Sequence, residues 1–186
     1  DLVRSRGLGD VYKRQVLTPT KKAMSNPFYT RKTPRADFHN YCEGTYFVTI
    51  CTQDKFHYFG KIIDDKMYLS EIGQIADDAL KTLHMHYNYV EVPLYIVMPN
   101  HIHAIIRIKD APGCIPTQRS ALGVVIGGYK QSVTRYARRN GIDFGWQKRY
   151  HDHIIRGTND GNNIADYIET NVIRWTTDCF YNHMTH

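Results

Sequence analysis

The stretch VMPNHIHAIIRI (97–108) constrains this chain most. Pro99-Asn100 is a turn-forming pair, and the apolar, β-branched run behind it reads as a buried strand. Side chains alternate along a strand, so His101 and His103 share one face. Burying two imidazoles without partners costs about 1–3 kcal/mol for each unsatisfied group. A fold that accepts this stretch must therefore supply partners for both rings. Neutral imidazole is also the commonest protein metal ligand. Spacing alone leaves two readings open, a metal site or a pair of satisfied structural histidines.

Two further H-x-H patterns weigh differently. His84 and His86 fall at the end of a predicted helix over 70–86, where residues two apart lie about 200° apart and cannot share a ligand. They read as surface residues at a helix C-terminus, where positive charge is favourable. His151 and His153 lie on a predicted strand over 150–156, are able to share a face, and stay open as a second ligand set. The expectation there is an outward-facing ring on a strand leading to Arg156.

The rest of the chain predicts an α+β protein. Strands are expected over 44–53, 66–69, 92–98, 101–109 and 150–156, and helices over 70–86, 121–139 and 162–175. Ser70 is the expected N-cap of the first helix. Residues 110–120, with two prolines, read as a loop. This order suggests an antiparallel sheet with helices packed mainly on one face. In the last helix Ile164, Ile168, Val172 and Trp175 form an apolar stripe. Asn163, Tyr167 and Asn171 form a second, polar stripe, a poor choice for packing and a sensible one for the edge of a site.

With 186 residues, 42% hydrophobic, the chain is long enough for one domain with a real core. No apolar run approaches the ~20 residues needed to span a bilayer, so no membrane partner is expected. The first fifteen residues, DLVRSRGLGDVYKRQ, resemble translated linker sequence; 1–23 read as a non-native or disordered leader and 24–186 as one domain. The four cysteines (Cys42, Cys51, Cys114, Cys179) form no C-x-x-C pair and read as reduced thiols, which favours the cytoplasm. A net charge of +6 with fourteen tyrosines suits a single-stranded nucleic-acid groove but does not require one.

At this point the residues resemble a known family. His-hydrophobic-His behind Met98-Pro99-Asn100 is similar to the signature of the HUH endonucleases, in particular their single-tyrosine transposases. The blocks 44–60 (GTYFVTICTQDKFHYFG), 95–108 (YIVMPNHIHAIIRI), 128–139 (GYKQSVTRYARR) and 146–175 resemble the REP-associated tyrosine transposase branch. The resemblance implies a ferredoxin-like or RRM-like HUH palm, with a late helix carrying a nucleophilic tyrosine. It implies metal-dependent cleavage and rejoining of single-stranded DNA through a covalent 5′-phosphotyrosine link. Carried over residue by residue, the nucleophile is Tyr167 and the metal ligands are His101, His103 and Asn171, with Mg²⁺ or Mn²⁺ as the ion. Family members usually place proline after that asparagine; here Val172 stands there, which leaves the helix free to continue.

Lys130, Arg135, Arg138, Arg139, Lys148, Arg149 and Arg156 are then candidate nucleic-acid contacts, and the implied partner is single-stranded DNA with hairpin-forming repeats. The protein is expected to act either alone or as a homodimer. Tyr136, in the basic helix, is the other tyrosine considered as nucleophile. A catalytically silent DNA-binding protein derived from a transposase is the rival reading. A small metal-dependent hydrolase would instead need Asp152 or Asp166 as its base.

Overall fold

The run GTYFVTIC is almost entirely β-branched or aromatic, and it forms β1 (Gly44–Cys51), buried on both faces from Tyr46 onward. The computed structural model describes residues 42–113 and 120–181. Two strands flank β1, both antiparallel to it: β5 (His101–Ile108) and β6 (His151–Ile154). Next to β5 lies β4 (Val90–Val97), giving the sheet order β4-β5-β1-β6. Pro93 removes a ladder donor, and β4 tolerates it as an edge strand with a register shift between Glu91 and Leu94. Met98 N–H donates to His101 C=O at 2.8 Å, closing the expected Pro99-Asn100 turn.

A separate hairpin joins β2 (Gly60–Ile63) to β3 (Lys66–Leu69). The second of these strands was expected and the first was not. Its turn is Asp64-Asp65, both at positive φ (48° and 56°), a two-residue loop without the Asn-Gly signature.

Helix α1 (Glu71–Lys81) starts as the sequence suggests, with Ser70 Oγ accepting from Gly73 N–H at 3.1 Å. The chain does not run on as one helix to His86: it breaks at Thr82, and α2 (Leu83–His86) follows as a single turn. Helix α3 (Ala121–Arg139) has the predicted bounds, with Ser120 as its cap. Ile72, Ala76 and Leu80 of α1 and Leu122, Val125, Ile126, Tyr129 and Val133 of α3 pack with Tyr46, Val48, Ile50, Ile102, Ala104 and Ile106 of the sheet. This is the main core, and it covers one sheet face.

Gly73 is fixed by this packing. A Cβ there would lie 2.0 Å from the Phe59 carbonyl oxygen, a backbone atom with no room to retreat. Alanine favours helix over glycine by about 1 kcal/mol, but overpacking of this kind costs up to about 3 kcal/mol. Gly73→Ala is therefore expected to destabilise the protein, read as a lower denaturation midpoint.

The last helix, α4 (Thr158–Thr170), begins four residues before the predicted start and ends before the predicted end. Its first turn is polar, so apolar periodicity gave no sign of it. After Asn171 the chain turns rather than continuing helically to Trp175, and a 3-10 turn (Trp175–Thr177) leads it back toward the sheet. Ile164, Ile168 and Trp175 are buried as expected, and Val172 is half-buried. Tyr167 on α4 meets Phe47 and His103, so this helix lies on the sheet face opposite α1 and α3.

No helix among the described residues is long and apolar enough to cross a membrane. Cys51 and Cys179 are free thiols, but Cys42 is disulfide-bonded, so the expectation of four reduced thiols fails at that position. Residues 1–23, read as a leader, lie outside the described residues.

Candidate active site

The site is built on the register of β1 against β5. Thr49 pairs with His103 and Cys51 with His101, all on the face away from the main core. Both histidines are fully buried, with ring centroids 4.5 Å apart. Each ring is held through its Nδ1. His103 Nδ1 meets Thr49 Oγ1 at 2.9 Å, and His101 Nδ1 meets Asn100 Oδ1 at 2.8 Å.

The Asn100 amide settles the tautomer of His101. Its Nδ2 donates to two carbonyls, Phe180 at 2.9 Å and Lys55 at 3.2 Å, so its Oδ1 must face the ring. An amide oxygen only accepts. His101 therefore carries its proton on Nδ1 and turns a bare lone pair on Nε2 into the interior. That Nε2 is buried with no hydrogen-bond partner. Asn171 Oδ1 is the other buried side-chain atom in this position among the described residues. Orphaned buried polar atoms are rare in folded proteins and call for a cause.

Tyr167 and Asn171 reach this spot from α4 and its C-terminal end. Tyr167 Oη lies 3.2 Å from His103 Nε2 and 3.4 Å from Asp178 Oδ2. Asn171 Nδ2 donates to the same Asp178 oxygen at 3.2 Å. One ligand atom from each of His101, His103 and Asp178 lies within 4.8 Å of the other two, and among the described residues no other such His, Cys, Asp or Glu trio occurs. Phe180 stacks against His101 at 4.4 Å, and Lys55 reaches over the Phe180 ring to the Cys179 carbonyl. The donor set, two imidazole nitrogens, an amide oxygen and a carboxylate around orphaned buried atoms, fits a divalent cation.

Burial holds the His103 pKa down at about 3, and burial first, then His103, Lys55 and His57, holds His101 well below its usual 6.5. Both rings are neutral at physiological pH, as ligation requires. Unfolded histidine takes up a proton near 6.5, so below that pH protons favour the unfolded chain. The metal-free fold is expected to weaken as pH falls from about 6.5 toward 3, and denaturation midpoints lower at pH 5 than at pH 7 check it.

The other sequence candidates are dispersed. Lys130 turns inward, donating to the Gln147 carbonyl at 2.8 Å and lying over the Trp146 ring, and burial draws its pKa down to about 8. Arg135 and Arg139 line a groove of about 550 Å³ between α1, α2 and α3, on the sheet face away from the histidines. Arg138, at the end of α3, is exposed. Lys148, Arg149 and Arg156 are exposed on either side of β6, the strand beside β1. Tyr136 donates to Glu71 Oε1 at 2.8 Å, on the α1–α3 side. Asp152 is half-buried on β6, and Asp166 is exposed on α4. His84, His86, His151 and His153 are exposed, and His153 pairs with Asp160 at 3.0 Å.

Sequence reasoning missed Asp178, Thr49 and Asn100. Thr49 and Asn100 become visible only with the β1–β5 register and the turn. Asp178 lies past a helix drawn too long, and ending that helix at Asn171 would have brought it into reach.

No family model matches the chain. An uncharacterized protein of Haemophilus influenzae is 34% identical over 167 residues, spanning 81% of this chain and 93% of that protein. A second protein of that organism, named "Putative REP-associated tyrosine transposase", is 28% identical over 145 residues, spanning 70% of this chain and 71% of its own length. The fold matches that of a REP-associated tyrosine transposase solved bound to a REP hairpin, with a TM-score of 0.54, 20% identity, and coverage of 72% of this chain and 68% of that one. In sequence and in fold the chain is thus similar to REP-associated tyrosine transposases. The arrangement of one phenol beside two buried imidazoles is the feature of this fold that bears on chemistry.

Proposed function

We propose that this protein cleaves and rejoins single-stranded DNA with Tyr167 as nucleophile. The observation that carries the reading is the Tyr167 hydroxyl at 3.2 Å from His103 Nε2, beside the orphaned Nε2 of His101. Nothing in core packing calls for a phenol, two imidazoles and an amide at one spot.

In this reading His101, His103 and Asn171 hold a divalent cation. That ion supplies Lewis-acid polarisation of the scissile phosphate. Two imidazoles and an oxygen donor suit Mn²⁺ and admit Mg²⁺. Tyr167 Oη attacks phosphorus, the Tyr167 O–P bond forms as the P–O3′ bond breaks, and the phenol proton ends on the departing 3′ oxygen. The products are a free 3′-OH and a 5′-phosphate esterified to Tyr167. Attack by another 3′-OH reverses the step and releases the tyrosine. One phosphodiester is exchanged for another, so no nucleotide cofactor is needed, and no G-x-x-x-x-G-K-[ST] loop occurs in the chain.

The exposed Lys148, Arg149 and Arg156, on either side of β6, are the proposed phosphate contacts, with a hairpin-forming single strand as substrate. Such chemistry assigns the protein to the cytoplasm, where the DNA is. Incubating the protein with end-labelled hairpin DNA and Mn²⁺ tests the reading. A shortened strand with a 3′-OH, lost when a chelator replaces the metal, is the expected product.

A further inference from the structure

Two imidazoles and an amide bring no negative charge to a buried site meant for a hard dication. Hard cations take oxygen ligands, and a carboxylate is the usual source of the compensating charge. Asp178 stands where that carboxylate is needed. It comes from the segment behind the 3-10 turn, which none of the family motifs quoted above reaches.

We propose that Asp178 is the anionic ligand of the cation, completing the site with His101, His103 and Asn171, whose Nδ2 also orients the Asp178 carboxylate. The proposal rests on the reading that the two histidines hold a divalent ion. Three observations carry it. His101, His103 and Asp178 offer ligand atoms within 4.8 Å of one another. His101, with no exposed surface, turns an unpartnered Nε2 into that space. The Asp178 carboxylate is held from two sides, Oδ1 by Phe180 N–H at 2.7 Å and Oδ2 by Asn171 Nδ2 at 3.2 Å. A ligand fixed in this way is preorganised for its ion.

The same geometry sets a competition. The Tyr167 hydroxyl reaches His103 Nε2 at 3.2 Å and Asp178 Oδ2 at 3.4 Å. A metal ion takes His103 through a bare Nε2, with the ring proton on Nδ1 against Thr49 Oγ1. An Nε2 that ligates a cation has no hydrogen bond left for the Tyr167 hydroxyl, whichever of the two donates in the empty site. Loading the site therefore releases Tyr167 from His103. The nucleophile and the anionic ligand then have opposite effects on metal affinity.

Calorimetric titration of Mn²⁺ into the full chain, without DNA, tests this. Wild type binds one ion. Asp178→Asn and Asp178→Ser each weaken binding by at least about tenfold, the scale set by perturbing ligand shells. Tyr167→Phe binds at least as tightly as wild type, because the competing hydrogen bond is gone. Metal-free thermal melts show that Asp178→Asn, which keeps the shape of the side chain, is folded. Wild-type affinity in both Asp178 variants would overturn the proposal and leave the histidine site standing. A wild-type chain that binds no Mn²⁺ would overturn that site as well.

Discussion

Tyr167→Phe is expected to abolish the covalent protein–DNA product. The variant removes one oxygen and leaves the ring, which packs edge-on against Phe47 and beside His103. Removing the nucleophile of a covalent mechanism costs roughly 10³-fold or more in rate. Hairpin binding changes little, because the phenol is one group among many at the interface. Tyr136→Phe serves as the internal control. Its hydroxyl is bonded to Glu71 on the far side of the sheet, so its loss leaves the covalent product intact. A quantitative comparison of adduct formed by the three proteins at equal hairpin occupancy reads this directly.

The second large effect separates a working pair of histidines from a structural one. His101→Leu is expected to reduce metal-dependent cleavage by roughly 10²-fold or more, because the ion loses a ligand and the transition-state charge goes unmet. In the metal-free protein the same change alters stability by less than about 1 kcal/mol. Leucine removes the buried orphan at Nε2, a gain, and strands Asn100 Oδ1, a loss of similar size. Denaturant unfolding in a chelator measures this. A drop of several kcal/mol would mark His101 as a residue kept for the fold.

The hydrophobic pattern carried the fold because it is periodic. The β-branched run of β1, the helix of 121–139 and the Ser70 cap follow from local rules that packing did not override. Where the pattern thinned, the reading failed. The polar first turn of α4 has no apolar stripe to mark it, and Thr82 splits a helix whose periodicity runs on to Leu83. The same holds for the site. His101 and His103 stood out because imidazoles are out of place in an apolar strand, and Tyr167 and Asn171 because they form a polar stripe. Asp178 is an ordinary residue in an ordinary stretch, and only the turn after Asn171 brings it within reach of them. The basic residues were legible as charge but not as place. The fold sets Arg135 and Arg139 on one side of the sheet and the histidines on the other, and folds Lys130 inward.

Mass spectrometry of the trapped adduct tests the central claim most directly. The protein is mixed with a single-stranded hairpin and Mn²⁺, denatured, and digested with trypsin and a nuclease. Cleavage after Arg156 and Arg174 yields a peptide, GTNDGNNIADYIETNVIR, that contains one tyrosine, Tyr167. The account predicts this peptide carrying a nucleotide through a phosphodiester on that tyrosine, in wild type and not in Tyr167→Phe. Tight hairpin binding with every tyrosine peptide unmodified would contradict it and leave a DNA-binding protein without the strand-transfer chemistry.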